Sequence, residues 1–285
     1  MGVLAIHIIT TMLIWINKTR ELVQLDYLSP LRSELKLKIL LNLLNGEKKI
    51  SELRIDAEAR DTTILHVLEE FGDLNLTTKA QGLYKLSPLG IIEAKILKEF
   101  ISTAEVVEKF KDFWLSHNVD DIPANLLQNI GALKDAQLVR TQASELGIVH
   151  QTFIEAIRTS KKIKGISPIF HPDFISSFGQ LLEQGSTIEL IVSSDVLNKI
   201  TGFVDLDLIK KYLTEEKLRV FLKDDLKIAL ALTESSFSLG LFALSGTYDD
   251  SMDLRSNSIE AIEWGERLFE DVIKSSQRIG LDLPT

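Results

Sequence analysis

Apolar positions recur at helical spacing from Leu31 to Leu44. Leu31, Leu35, Leu37, Ile39, Leu40, Leu41, Leu43 and Leu44 are interleaved with Arg32, Glu34, Lys36, Lys38 and Asn42. The pattern predicts a helix with a wide buried face. Asn45-Gly46 ends it, because glycine tolerates the left-handed conformation that follows a helix. Ile50 to Ile55 predicts a short second helix with Ser51 as its N-cap. Ile64, Leu65, Val67, Leu68 and Phe71 form the stripe of a third, capped by Asp61 or Thr62. The period then changes. Leu74-Asn75-Leu76-Thr77 and Leu83-Tyr84-Lys85-Leu86 alternate like short strands around a turn at Lys79-Ala80-Gln81-Gly82. Ser87-Pro88 restarts a helix, with serine as N-cap and proline in the first turn. Three helices followed by a hairpin predict a winged helix-turn-helix over residues 28–90.

From Leu89 to Trp114 the apolar positions Ile92, Ile96, Phe100, Val107, Phe110 and Trp114 predict one long helix. It is assigned as a connecting or dimerisation element over residues 91–119, broken before Pro123. Residues 120–285 alternate strand and helix. Strands are expected at 138–140, 162–167, 187–192, 218–223, 227–232 and 237–244. Helices are expected at 148–160, 172–184, 195–201, 206–213 and 258–278, with Asp224-Asp225 turning a hairpin between two late strands. That order predicts an α/β domain with a mixed sheet. The fold class is therefore α+β to α/β: an N-terminal winged helix-turn-helix, a long connecting helix and a C-terminal α/β domain.

Residues 1–27 stand apart, because Met1 to Ile16 is almost wholly apolar. As a helix that stretch rises about 24 Å, short of the roughly 30 Å hydrocarbon layer of a bilayer. Three readings stay open: a helix buried against the protein or a partner, a start wrongly assigned ahead of Met12, and a membrane anchor. No basic residue precedes the stretch and no small-residue cleavage site follows it, which argues against a signal peptide.

Composition narrows the chemistry. The 285 residues include no cysteine, which excludes disulfide scaffolds, thiolate metal sites and cysteine nucleophiles. With no clear membrane span, this suits a reducing, cytoplasmic setting. The net charge is −9. Residues 1–30 and 31–90 are each balanced, so the whole excess is carried beyond residue 90. Uniform attraction to nucleic acid is not expected, but local patches set phosphate contacts. The third helix of a winged helix enters the major groove with its N-terminal end nearest the bases. Arg60, Thr62, Thr63 and His66 are the candidates there, and Lys79, Gln81 and Lys85 are the wing candidates for phosphates.

In the second domain, Ser167-Pro168-Ile169-Phe170-His171-Pro172 joins a strand to a helix, where α/β domains place ligands. Ser167, His171, Ser193, Ser194, Tyr248 and Asp249 are the candidate rim of a pocket for a small polar ligand, bound without turnover. Asp249, Asp250 and Asp253 read as a solvated acidic loop. Their spacing is not that of a calcium loop. No metal or cofactor is expected, and no nucleophile–base–acid set is visible for a hydrolase.

Taken together, these segments resemble the archaeal transcriptional regulators of the methanogenesis-regulatory (filament-formation regulator) family. The resemblance rests on Leu31 to Gly90, including Tyr84-Lys85-Leu86-Ser87-Pro88-Leu89-Gly90. It rests also on Ile163 to Pro172, on Gly246-Thr247-Tyr248-Asp249 and on Ala261 to Phe269. It implies a DNA-binding regulator with a C-terminal sensor or regulatory domain. The order of elements in that domain also resembles half of a phospholipase D-like fold. Catalysis in that fold needs a His-x-Lys pair, and none of the five histidines has lysine two residues later. The expected function is a transcription regulator that binds double-stranded DNA, is not held in a membrane and assembles as a homodimer, with a small-molecule or partner signal. The rival is a winged-helix protein-interaction module that does not read DNA.

Overall fold

The structure is a computed structural model that describes Pro30, residues 33–140, Ile154 and residues 157–281. The N-terminal apolar stretch and most of the helix expected over 148–160 lie outside the described residues. The chain divides into two compact units, one ending at Glu105 and the other beginning at Val106.

The first unit opens with α1 (Glu34–Leu43), capped by the Ser33 side chain, which accepts a hydrogen bond from the Lys36 N–H. Leu37, Ile39, Leu40 and Leu43 are buried. α2 (Ile50–Ala57) is capped differently from expectation. Its N-cap is Lys49 rather than Ser51, and Glu52 reaches back to accept from the Lys49 N–H at 2.7 Å. α3 (Asp61–Asp73) has Arg60 at its N-cap, so Asp61 and Thr62 already belong to the helix. Its stripe of Ile64, Val67, Leu68 and Phe71 is buried. Asn75 then turns left-handed, at φ 57°. The first strand therefore starts at Thr77, three residues later than the alternation suggested.

β1 (Thr77–Ala80) and β2 (Leu83–Leu86) pair antiparallel around Gln81 and Gly82. Both turn residues have positive φ, 51° and 80°. This combination gives two-residue hairpin turns a twist that matches their strands. Lys48 and Tyr84 exchange backbone hydrogen bonds at 2.9 Å in both directions. The Lys48-Lys49 turn is thus a short extension of the hairpin. α4 (Pro88–Lys109) begins against the carbonyl of Leu76. A Cβ on Gly90 would lie 2.1 Å from that oxygen, so only glycine fits there.

The helix expected to run to Trp114 stops at Lys109. Phe110 leaves helical geometry (φ −113°, ψ 28°), and α5 (Lys111–Ser116) follows. Phe110 and Phe113 are both buried in the second unit's core. The apolar spacing was correct, but the break serves core packing that the spacing does not reveal.

The second unit continues with α6 (Ala124–Gln128), a 3-10 turn (Ile130–Leu133) and β3 (Gln137–Arg140). Next come β4 (Lys162–Ser167), α7 (Pro172–Glu183), β5 (Thr187–Val192), α8 (Ser194–Thr201), α9 (Leu206–Thr214) and β6 (Leu218–Leu222). β7 (Ile228–Leu232), β8 (Phe237–Leu241), β9 (Met252–Ser256), α10 (Ile259–Lys274) and β10 (Gln277–Arg278) complete it. The strands form one mixed sheet in the order β10-β6-β5-β4-β7-β8-β9-β3. Among the described residues, only β4 with β5 and β5 with β6 are parallel.

Three expectations change here. Asp224-Asp225 does not turn a hairpin, because β6 pairs with β5 while β7 crosses to pair with β4 and β8. Of the acidic stretch, Asp250 is exposed in a turn, as expected, but Asp253 lies in β9 and is buried. The last helix ends at Lys274, and Gln277-Arg278 becomes an edge strand on β6.

The two faces of the sheet differ in side-chain size. On one face Ile228, Leu230, Leu232, Phe237, Leu239 and Leu241 pack with α10, whose Trp264 donates to the Leu126 carbonyl at 3.0 Å. The opposite face is filled by large residues only over β4–β6, where Ile163, Ile188, Leu190 and Val220 meet Leu182, Leu197 and Tyr212 of α7–α9. Over β7 and β8 the alternate positions are Ala229, Ala231, Ser238 and Gly240. Side chains that small leave space.

Candidate functional site

That space is a cavity of about 700 Å³ between the sheet and helices α7–α9. Its volume lies within the range of small-molecule pockets. Phe170, Phe174, Phe178, Leu190, Leu197 and Ile200 are among its walls. Phe170 also packs on the exposed Phe203, with ring centroids 5.2 Å apart.

Of the residues expected at the rim, Ser167, His171 and Tyr248 line this cavity. Ser167 Oγ donates to the Ile169 carbonyl at 2.7 Å and holds the turn after β4. His171 is the N-cap of α7, and its Nδ1 accepts from the Asp173 N–H at 3.3 Å. Ser193, Ser194 and Asp249 are not among the lining residues. Ser193 caps α8, accepting from the Val196 N–H, and Ser194 is bound to Asp224. A residue that caps a helix after a strand has its hydroxyl committed to the backbone. The walls of the cavity are mainly large apolar side chains, and its polar groups are few.

Asp253 and Ser238 are among the polar cavity residues that sequence reading missed. Asp253 Oδ2 accepts from Ser238 Oγ and from the Arg255 guanidinium, both at 3.2 Å. Its Oδ1 has no hydrogen-bond partner. Burial pushes the Asp253 carboxyl above the usual carboxylate value, against the opposing pull of Arg255. Burial and the neighbouring carboxylates Asp253, Asp250 and Asp249 also push the Tyr248 phenol up. Gly240 makes this floor possible: a Cβ there would lie 2.6 Å from the Tyr248 hydroxyl and 2.7 Å from Asp253 Oδ1. The signal in the sequence was the large–small alternation Ile228-Ala229-Leu230-Ala231-Leu232, continued by Phe237-Ser238-Leu239-Gly240-Leu241.

Asp249 has a different place. His117, buried after α5, directs Nδ1 at the Phe113 carbonyl oxygen (2.7 Å) and Nε2 at Asp249 Oδ2 (3.1 Å). Burial works against the Asp249 carboxylate. Hydrogen bonds from Ser251 and the presence of His117 outweigh it, and the group titrates below its ordinary value. Around the pair, Asn118 donates to the Phe242 carbonyl at 2.8 Å, and Leu244 to that of Ser116 at 3.1 Å. The Tyr248 ring meets Phe242 edge-on at 5.6 Å. A single loop therefore ties the cavity floor to the residues at the end of α5. Further back, Lys109 Nζ donates to the carbonyls of Lys134 and Ala136, both at 2.7 Å.

In the first unit, Arg60, Thr62, Thr63 and His66 are all exposed in the first turns of α3. Lys79, Gln81 and Lys85 are exposed on the hairpin. Lys79 lies opposite Tyr84, and Lys85 opposite Thr78, one register step away. Successive strand residues face opposite sides, so the two lysines project from different faces of the hairpin. Lys79 Nζ lies 5.0 Å from the centre of the Tyr84 ring. Several other basic groups of the unit are ion-paired: Lys36 with Glu70, Lys38 with Glu34 and Lys48 with Asp56. Among the described residues, no helix is long and apolar enough to cross a membrane.

Comparison with known families assigns both units. Residues 28–105 match the N-terminal domain of the methanogenesis regulatory protein FilR1, and residues 148–275 match its middle domain. These segments make up well over half of the chain. The chain belongs to the FilR1 methanogenesis regulatory family. A curated relative, methanogenesis regulatory protein FilR1 of Methanothrix harundinacea (strain 6Ac), is 30% identical over 251 residues. That match covers 87% of this chain and 56% of the relative, so the chain spans a little over half of the relative's length. Among solved structures, the chain is similar to TrmBL2, an archaeal chromatin protein described as showing a novel mode of DNA binding. The identity is 13% and the TM-score 0.42, over 93% of this chain and 98% of that one. It is also similar to Nuc, a phospholipase D family member from Salmonella typhimurium, at 10% identity and TM-score 0.38, over 51% of this chain and 97% of that one. Both structural likenesses are too loose to bear on function.

Proposed function

We propose that this member of the FilR1 family is a DNA-binding transcription regulator whose second unit senses a small molecule. In this reading the first unit is a winged helix-turn-helix. α3 enters the major groove of double-stranded DNA, and the hairpin is the wing. The observation that carries the reading is the exposure of Arg60, Thr62, Thr63 and His66 at the N-terminal end of α3, followed in the chain by an exposed Lys79, Gln81 and Lys85. The second unit is phospholipase D-like in the order of its elements only, and its cavity binds without catalysis.

The dimer in this reading forms through α4, where Leu89, Ile92, Ile96, Phe100 and Val107 are exposed. A stripe of that length on one helix suits a partner helix. The signal passes from the cavity floor through Tyr248 and Asp249 to His117, and so to the connecting helix. Selecting an operator from random duplexes and measuring affinity by fluorescence anisotropy tests the reading. Arg60→Ala is expected to weaken specific binding by about 1–3 kcal/mol. Failure of every single replacement across α3 and the hairpin to change affinity would overturn it. The ion pairing of Lys36, Lys38 and Lys48 favours the rival, an interaction module without DNA. Under that rival, no duplex is selected at all.

A further inference from the structure

The charged residues in the cavity lining are all acidic, with Arg255, which pairs with Asp253 at 3.2 Å, outside it. They are Asp205, Asp250 and Asp253, with no lysine or arginine among them. Asp205 is already occupied as the N-cap of α9, accepting from the Asp207 N–H at 2.9 Å. Asp250 is exposed, while Asp253 is only 6% exposed and keeps one carboxylate oxygen without a partner. A buried polar group left unmatched is costly and calls for an explanation, such as a ligand that completes it. The rest of the lining is predominantly aliphatic and aromatic.

We infer that the cavity binds an organic amine: an apolar body held by the walls of α7–α9, with a protonated amino head that donates to Asp253 Oδ1. The inference rests on the sensor reading above and names the ligand class for that same site. An anionic head would meet carboxylates and no cationic side chain in the lining. A neutral alcohol would satisfy the oxygen but gain nothing from the acidic lining. A bare metal ion does not suit the cavity, since among the described residues no three His, Asp or Glu groups come together to hold one. The size of the space and the breadth of its apolar wall require a ligand that is mostly hydrocarbon. Gly240 lets Tyr248 and Asp253 close against β8, because a Cβ there would lie 2.6 Å from the Tyr248 hydroxyl and 2.7 Å from Asp253 Oδ1.

The test uses three probes with the same body and different heads: decylamine, decanol and decanoate, each titrated by calorimetry into the full chain well below micelle formation. Decylamine is expected to bind about tenfold more tightly than decanol, as suits a charge-assisted hydrogen bond, with decanoate weakest. Asp253→Asn should bring decylamine down to the level of decanol and leave decanol unchanged. Ala231→Phe, which fills the cavity from β7, should abolish binding of all three and so exclude attachment elsewhere. Decanoate binding as tightly as decylamine, or no probe binding at all, overturns the inference. So does a preference for decylamine that survives in Asp253→Asn. The ranking of heads on the unaltered protein is decisive even if a variant does not fold. A parallel anisotropy measurement separates the two layers: amine binding that leaves DNA affinity unchanged supports the ligand class and overturns the sensor reading.

Discussion

Replacing Glu93 by glutamine should make the protein more stable at alkaline pH and leave it nearly unchanged at acidic pH. Glu93 lies on α4, is 7% exposed, and neither carboxylate oxygen has a hydrogen-bond partner. Burial pushes its pKa from 4.5 up to about 7. The folded chain therefore holds this proton more tightly than the unfolded chain. Below 4.5 both states are protonated and the residue costs nothing extra. Between 4.5 and about 7 the unfolded chain releases its proton first, so stability falls as pH rises through that window. Above it both states are ionised and the full cost is present. A shift of that size corresponds to about 3 kcal/mol as an upper bound, and partial solvation of the group reduces it to about 1–3 kcal/mol. Glutamine keeps the shape without the charge. Urea unfolding at about pH 4 and about pH 8, read by hydrogen exchange across residues 88–105, is the assay. The variant should match the parent at the lower pH and exceed it at the higher. No gain at the higher pH would mean that the carboxylate is solvated or paired, and the reasoning from an unmatched buried acid would be refuted.

Three other outcomes follow from the geometry. Gly90→Ala places a methyl group 2.1 Å from the Leu76 carbonyl oxygen and should cost about 2–4 kcal/mol, seen as a lowered urea midpoint for the first unit. His117→Ala removes the partner of Asp249 and should leave ligand-free DNA affinity intact while abolishing its response to a bound amine, because coupling and DNA contact are separate free energies. An unchanged response in anisotropy would break the proposed route from cavity to helix. Ile96→Lys puts a charge into the exposed stripe of α4 and should convert a dimer to monomers by light scattering, whereas an unaltered mass would remove α4 from the proposed interface.

Local patterning carried the first unit well, because its elements depend on nearby residues. The stripes on α1 and α3 and the Ser87-Pro88 helix start are set within a few positions of the chain. The misreadings there are also local. Ser51 was the better cap by residue type, yet Glu52 gained more by reaching back to the Lys49 N–H. Leu74 and Leu76 alternate like strand residues, but Asn75 spends the first of those positions ending a helix, and Leu76 is buried because α4 is set against its carbonyl. The break at Phe110 was beyond such reasoning. Its cause is the burial of Phe110 and Phe113 in a core built from β7, β8 and α10, more than a hundred residues further along.

The cavity shows where periodicity stops being informative. Alternation placed β4, β5 and β7 correctly, because a buried strand needs apolar side chains whichever strand lies beside it. It could not give the order β6-β5-β4-β7-β8, since that order depends on β7 crossing past two parallel strands to reach β4. Without that order, Ala229 and Ala231 look like weak strand positions and Gly240 like an isolated glycine. Once β7 and β8 are adjacent, the same residues fall on one face, opposite helices that cover only the other half of the sheet. Small side chains then become space, and the Asp253 carboxylate on the next strand becomes its polar floor. The acidic loop reading failed at Asp253 for the same reason. Three aspartates within five residues look solvated, but the strand alternation of β9 sends Asp253 inward while Asp249 turns to His117. One short acidic segment thus supplies both Asp253 in the cavity lining and Asp249, which holds His117 at the end of α5. Only Tyr248 and the backbone of this loop separate the floor from His117.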